Sequence, residues 1–164
     1  MIEELMTSRI LILGCGNTLF GDDGFGPAVI QALEDEELPA GCAALDVGTS
    51  VSELLFDLVL QSSKPERIVL VDAVSLPERD PGRVEWLPLA SIPQCKKADF
   101  SMHQFPSIDL LQELVSQAGV DVRVLAVQAE CIPECVRPGL SGSIQAAVPT
   151  ACRMIRSVLE PGGS

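Results

Sequence analysis

Residues 9–38 read RILILGCGNTLFGDDGFGPAVIQALEDEEL, and this stretch decides the fold. Its first five residues, RILIL, form a continuous apolar run ending at Gly14. A strand covered on both faces of a parallel sheet needs that lack of alternation. The segment GPAVIQALEDEEL places Val29, Ile30, Leu33 and Leu38 on an approximate helical stripe. Proline has no N–H to donate and is tolerated only in a helix's first turn, so Pro27 predicts a start near Gly26. Between strand and helix lies a glycine-rich turn carrying two adjacent aspartates, Asp22 and Asp23.

The same reading extends along the chain. GCAALDV (41–47) predicts a second strand, and residues 49–61 a helix whose Ser50 and Glu53 have capping-box spacing. RIVLVDA (67–73) is the strongest strand signal, and RVEWLPL a shorter one that Pro88 marks as an edge. Residues 90–106 carry two prolines and little periodicity, which predicts a long loop; such loops in compact domains are usually functional. IDLLQELVSQAG predicts an amphipathic helix ended by Gly119, DVRVLAVQA a strand, and residues 139–160 a final helix kinked at Pro149. Strand, helix, strand, helix, strand, strand, helix, strand, helix implies an α/β sandwich around a mostly parallel sheet with right-handed crossovers. No repeat or linker interrupts the pattern, so residues 1–164 are expected to form a single domain.

Composition narrows the partners. The chain has 164 residues, 47% of them hydrophobic, and a net charge of −12. That balance supports a core and opposes nucleic acid and anionic membranes, and no apolar run is long enough to span a bilayer. MIEELMTSR lacks the pattern of a signal peptide, so a cytoplasmic location is expected. The six cysteines are therefore expected as thiols. Cys131 and Cys135 have zinc-ligand spacing, but no second pair completes four ligands.

In open parallel sheets, ligands bind outside the carboxyl ends of the strands. The glycine-rich turn leaves the first strand there, Asp72 ends the third, and His103, the sole histidine, lies in the long loop. Asp22, Asp23, Asp72 and His103 are thus expected on one rim. A dinucleotide is a poor occupant: Leu19 stands where the third fingerprint glycine belongs, the Gly-Lys-Ser/Thr ending of a phosphate loop is absent, and both aspartates repel phosphate. Carboxylates and imidazole suit nickel, zinc or manganese. Each residue also has a structural reading. Carboxylates before a helix are favoured by its dipole, and a strand-end aspartate can accept backbone N–H groups.

These residues are also where the chain resembles the hydrogenase maturation endopeptidases, which process the large subunits of nickel-iron hydrogenases. The family signature G-x-G-N-x-L-x-x-D-D/E-x-x-G is matched by Gly14, Gly16, Asn17, Leu19, Asp22, Asp23 and Gly26. Its D-x-G-T segment is matched at residues 46–49, its V-D-A at 71–73 and its S-x-H-Q at 101–104. GCGNTLFGDDGFGP, DFSMHQ and IPECVRPGLS are similar to the branch accompanying the deazaflavin-coenzyme-reducing hydrogenase, its delta subunit. The resemblance implies a three-layer sandwich around a twisted five-stranded sheet with one antiparallel strand and helices on both faces. It implies metal-contacting and catalytic roles for Asp23, Asp72 and His103; Asp22, Asp46 and Asn17 are candidate supporting residues beside them. Asp23 is a glutamate in many relatives.

The family's activity implies removal of a C-terminal tail from the nickel-loaded precursor of the large subunit, with nickel supplied by that substrate. Metal-assisted hydrolysis is the expected chemistry. A bound metal can polarise the scissile carbonyl or bring a water's pKa to about 7, as zinc does. Asp22 or Asp46 is left as a base or as a residue that holds the loop. Ser101 lies too close in sequence to His103 for an obvious nucleophile–base pair, and Cys15 reads as a small packing residue. The alternative is a non-catalytic nickel-binding chaperone or escort built on the same three residues.

Overall fold

The computed structural model describes residues 2–91 and 108–160. Its strands are β1 (Ile10–Cys15), β2 (Cys42–Gly48), β3 (Arg67–Val74), β4 (Val84–Leu87) and β5 (Asp121–Gln128). Its helices are α1 (Ile2–Thr7), α2 (Phe25–Glu34), α3 (Val51–Leu60), α4 (Ile108–Ala118) and α5 (Gly142–Arg156). The strands form one sheet in the order β2-β1-β3-β5-β4. Pairing is parallel throughout except between β4 and β5. The sheet is therefore five-stranded with one antiparallel strand, as the resemblance implies, and that strand lies at an edge, as the sequence reading of RVEWLPL implies.

Alternation along the strands divides the core. Ile10 and Ile12 of β1, with Val69, Val71 and Ala73 of β3, pack under α2 and α5. Leu11, Leu13 and Cys15, with Ile68 and Leu70, pack under α3 and α4. Every residue of β1 is buried, which explains why RILIL shows no polar alternation. The α2 layer can lie close because Gly26 has no side chain. A Cβ there would stand 2.2 Å from the Cys15 carbonyl oxygen and 2.6 Å from that of Val71.

Several local expectations change. A short 3-10 turn, Gly21–Gly24, precedes α2, so both aspartates sit inside a helical turn rather than in a loop. Ser50 does precede α3, but its side chain makes no capping bond, so the capping box predicted from Ser50 and Glu53 does not form. α1 has no counterpart in the sequence reading. α5 runs through Pro149, and α4 stops at Gly119, whose φ of +67° favours glycine. The long loop predicted over 90–106 falls, beyond residue 91, outside the described residues. Among the described residues, no helix is long and apolar enough to cross a membrane.

Candidate functional site at the carboxyl edge of the sheet

The chain leaves β1 through Gly16, whose φ of +130° is available in practice only to glycine. Gly16 donates its N–H to the Gly48 carbonyl at 3.0 Å, which ties the turn to the end of β2. Asn17 organises the next six residues. Its side-chain oxygen accepts the Leu19 N–H at 3.0 Å, and its own N–H reaches Asp23 Oδ2 at 2.9 Å. The Asp23 N–H in turn donates to the Phe20 carbonyl at 3.1 Å. These short-range bonds hold the Asp23 carboxyl at the first turn of the helical segment, where the helix dipole favours negative charge. Asp23 is 7% exposed, and its turn packs against β3.

Asp72 lies near the end of β3 and is 3% exposed. Strand alternation sets it on the same face as Ile68 and Leu70, opposite Val71 and Ala73. Its Oδ1 accepts the Ala73 N–H at 2.8 Å, the kind of local backbone bond that the structural reading anticipates. β1 and β3 pair in parallel register up to Gly14 and Val71, so the turn bearing Asp23 and the strand end bearing Asp72 emerge at the same edge of the sheet. Two buried carboxyl groups at one sheet edge supply hard oxygen donors of the type a divalent cation accepts. His103, the proposed imidazole, lies outside the described residues, as do Ser101 and Cys95. Among the described residues, no three His, Cys, Asp or Glu side chains come together as a metal site, Cys131 and Cys135 included.

Asp22 has a different environment from its neighbour. It is fully buried, and its carboxylate accepts four hydrogen bonds. Oδ2 receives the Glu130 N–H at 2.9 Å, the Cys131 N–H at 2.8 Å and the Ser141 hydroxyl at 2.9 Å. Oδ1 receives the Ser141 N–H at 2.7 Å. All four donors belong to the strap of residues 129–141 that joins β5 to α5. Backbone bonds extend the clasp: Gly21 N–H to Arg137 O at 2.9 Å, Asp22 N–H to Cys131 O at 3.2 Å, and Arg137 N–H to Leu19 O at 2.8 Å. Ser141 is the residue preceding α5, yet its side chain caps nothing in its own helix and turns to Asp22 instead. Of the two roles left open for Asp22, the geometry supports holding the loop.

Asp46 differs from the two buried carboxyls in its exposure. It is exposed at the end of β2, and its Oδ1 accepts the Gly48 N–H at 2.9 Å. Together with Thr18, Gln31, Glu34 and Leu140 it lines a groove of about 560 Å³ beside α2. The clasp between the strap and Asp22 was not legible in the sequence. The strap's run IPECVRPGLS entered the sequence reading only through its similarity to the delta-subunit branch and through the Cys131–Cys135 spacing, neither of which points to Asp22.

Comparison with known proteins places these features in context. The family profile described as hydrogenase maturation protease matches residues 27–158. The coenzyme F420 hydrogenase subunit delta of Methanothermobacter thermautotrophicus is 35% identical over 153 residues, 90% of this chain and 92% of that protein. The hydrogenase 2 maturation protease of Escherichia coli is 29% identical over 158 residues, covering 94% and 93%. Among solved structures, the hydrogenase maturating endopeptidase HybD from E. coli superposes with a TM-score of 0.73 at 27% identity, covering 90% of this chain and 89% of that one.

Proposed function

The chain belongs to the hydrogenase maturation protease family, and we propose that it is the endopeptidase that removes the C-terminal tail from the nickel-loaded precursor of a nickel-iron hydrogenase large subunit. The observation that carries this reading is the pair of buried carboxyls, Asp23 and Asp72, at the carboxyl edge of a sheet matching that of a maturating endopeptidase. Burying a carboxylate costs several kcal/mol unless donors or a cation compensate it, and such sites are retained where charge is used. In this reading Asp23, Asp72 and His103 contact the nickel carried by the precursor, and the nickel serves as the recognition element. It also supplies the Lewis acid that polarises the scissile carbonyl or activates a water. Asn17 holds the Asp23 carboxyl in place through its N–H.

The test is processing of purified precursor, with and without nickel, followed by mass spectrometry of the large subunit. Tail loss from the nickel-loaded form alone is expected; equal cleavage of both forms removes nickel recognition. Asp23→Asn, Asp72→Asn and His103→Ala are each expected to slow processing at least 100-fold, the scale for losing a group that aligns reactants or stabilises developing charge, while leaving a folded chain. Normal processing by all three variants moves the site elsewhere.

A second reading, a non-catalytic escort of the large subunit, draws on the M. thermautotrophicus relative, which is named as a hydrogenase subunit rather than a protease. An escort binds the precursor and leaves its mass unchanged.

A further inference from the structure

We propose that Asp22 is a positioning residue for Asp23: by locking the 129–141 strap onto the Gly21–Gly24 turn, it fixes the direction in which the neighbouring carboxyl is presented. Successive residues of a 3-10 helix project about 120° apart. Asp22 and Asp23 therefore leave the same turn on different sides, one toward the strap and the other toward Asn17. The four donors on Asp22 lie 108 to 119 residues away in sequence. Local chain geometry therefore cannot assemble them, and the clasp forms only when β5, the strap and α5 are in place.

The turn is gripped from two sides. On the inner side Gly16 lies against the Asp23 backbone, so close that a Cβ would stand 1.9 Å from its carbonyl oxygen. Gly21 is enclosed less tightly on the other side, where a Cβ would stand 2.8 Å from Pro133 Cδ and 3.0 Å from the Cys131 carbonyl oxygen of the strap. Between these contacts the turn has little room to rotate. The Asp22 carboxylate supplies the directional part of the grip, because four donors converging on two oxygens fix its orientation. A shift of the strap is thereby transmitted through one peptide unit to Asp23. The strap's ends are the last residues of β5 and the start of α5, so the clasp joins the edge of the sheet to one of its covering helices.

The consequence for processing rests on the reading of Asp23 given above; the consequence for the turn does not, and it can be measured on the isolated full chain. The probe is the Asn17 backbone amide, which donates to Asp23 Oδ2 and so reports where that carboxyl stands. In ¹⁵N-labelled protein, Asp22→Asn is expected to raise hydrogen exchange at the Asn17 amide at least tenfold and to move its resonance. The amides of Glu130, Cys131 and Ser141 should change with it, because asparagine presents an N–H₂ group to at least one donor it cannot accept. Ser141→Ala removes one of the four bonds and keeps the carboxylate, so a smaller change of the same sign is expected; Ser141→Thr, which retains the hydroxyl, should restore the wild-type signal. The Ser141 pair carries the comparison if Asp22→Asn fails to fold. An Asn17 amide indistinguishable from wild type in whichever of Asp22→Asn and Ser141→Ala folds, while the strap amides respond, overturns the proposal and leaves Asp22 as a fastener of the strap alone. Failure of the wild-type protein to process any precursor would sink the functional reading and leave this amide result standing.

Discussion

Gly16→Ala tests how tightly the turn geometry is specified, and its cost comes from two separate features of the structure. The backbone at Gly16 has φ +130°, which an L side chain rarely adopts, and holding a non-glycine residue there costs about 1–3 kcal/mol. The added Cβ also lands 1.9 Å from the Asp23 carbonyl oxygen and 3.1 Å from the carbonyl carbon. Backbone cannot yield as a side-chain tip can, so the turn must move by about 1 Å, and overpacking of this kind costs about 1–3 kcal/mol. Together the two effects amount to about 2–6 kcal/mol, a large part of the roughly 5–15 kcal/mol that typically stabilises a domain. Urea denaturation followed through Trp86, the single tryptophan, measures the loss. Gly139→Ala is the control. Gly139 also has positive φ, +110°, but a Cβ there meets nothing within 4 Å, so only the conformational part should appear. A loss below about 0.5 kcal/mol at Gly16, well under the strain range alone, or a larger loss at Gly139 than at Gly16, refutes the reasoning. Processing by the folded fraction of Gly16→Ala should fall about 100-fold, since a 1 Å misplacement of an aligned group costs that much.

Glycine and cysteine environments set two further outcomes. Gly142→Ala should stabilise the chain by about 0.4–1 kcal/mol in the same urea assay, because this helical position has ordinary φ and open space around its Cβ. Among the described thiols, exposed Cys131 and Cys135 should react with iodoacetamide at pH 8, while buried Cys15 and Cys152 and half-buried Cys42 resist until the chain unfolds. Burial pushes the thiols of Cys42 and Cys152 above their ordinary range; Glu160 adds to this at Cys42 against the opposing pull of Arg9, and Glu36 adds to it at Cys152 against Arg156. Both thiols therefore stay protonated in the fold after their unfolded counterparts ionise. Their contribution to stability is full below about pH 8.5 and declines as pH rises past it. Replacing both with alanine should flatten that alkaline decline, and an unchanged slope would count against the assignment.

Most of the sheet was legible because its information is local. β1 and β3 are buried almost throughout and read as apolar runs, and the half-polar RVEWLPL correctly marked an edge. Pro27 and Gly119 bounded helices through backbone constraints that act within one turn. The errors were also local in kind. Ser50 and Glu53 had the spacing of a capping box, but spacing does not set Ser50's backbone: at φ −102° and ψ 18° it is not the extended conformation that a capping side chain usually requires. The 3-10 turn was missed because Leu19, Phe20 and the flanking glycines give no helical period over so few residues. Its conformation is fixed by Asn17 and by the strap.

The two neighbouring aspartates show where sequence reading reached its limit. Asp22 and Asp23 are chemically identical and adjacent, and a helix dipole favours both equally. The difference between them lies in the donors that arrive from elsewhere. Asp22 meets backbone amides of Glu130, Cys131 and Ser141, groups every non-proline residue carries and no motif records. The chemistry of the carboxyl was therefore visible in the sequence, while its employment was not. Only the fold distinguishes the one held by the distant strap from the one held by the nearby Asn17 amide.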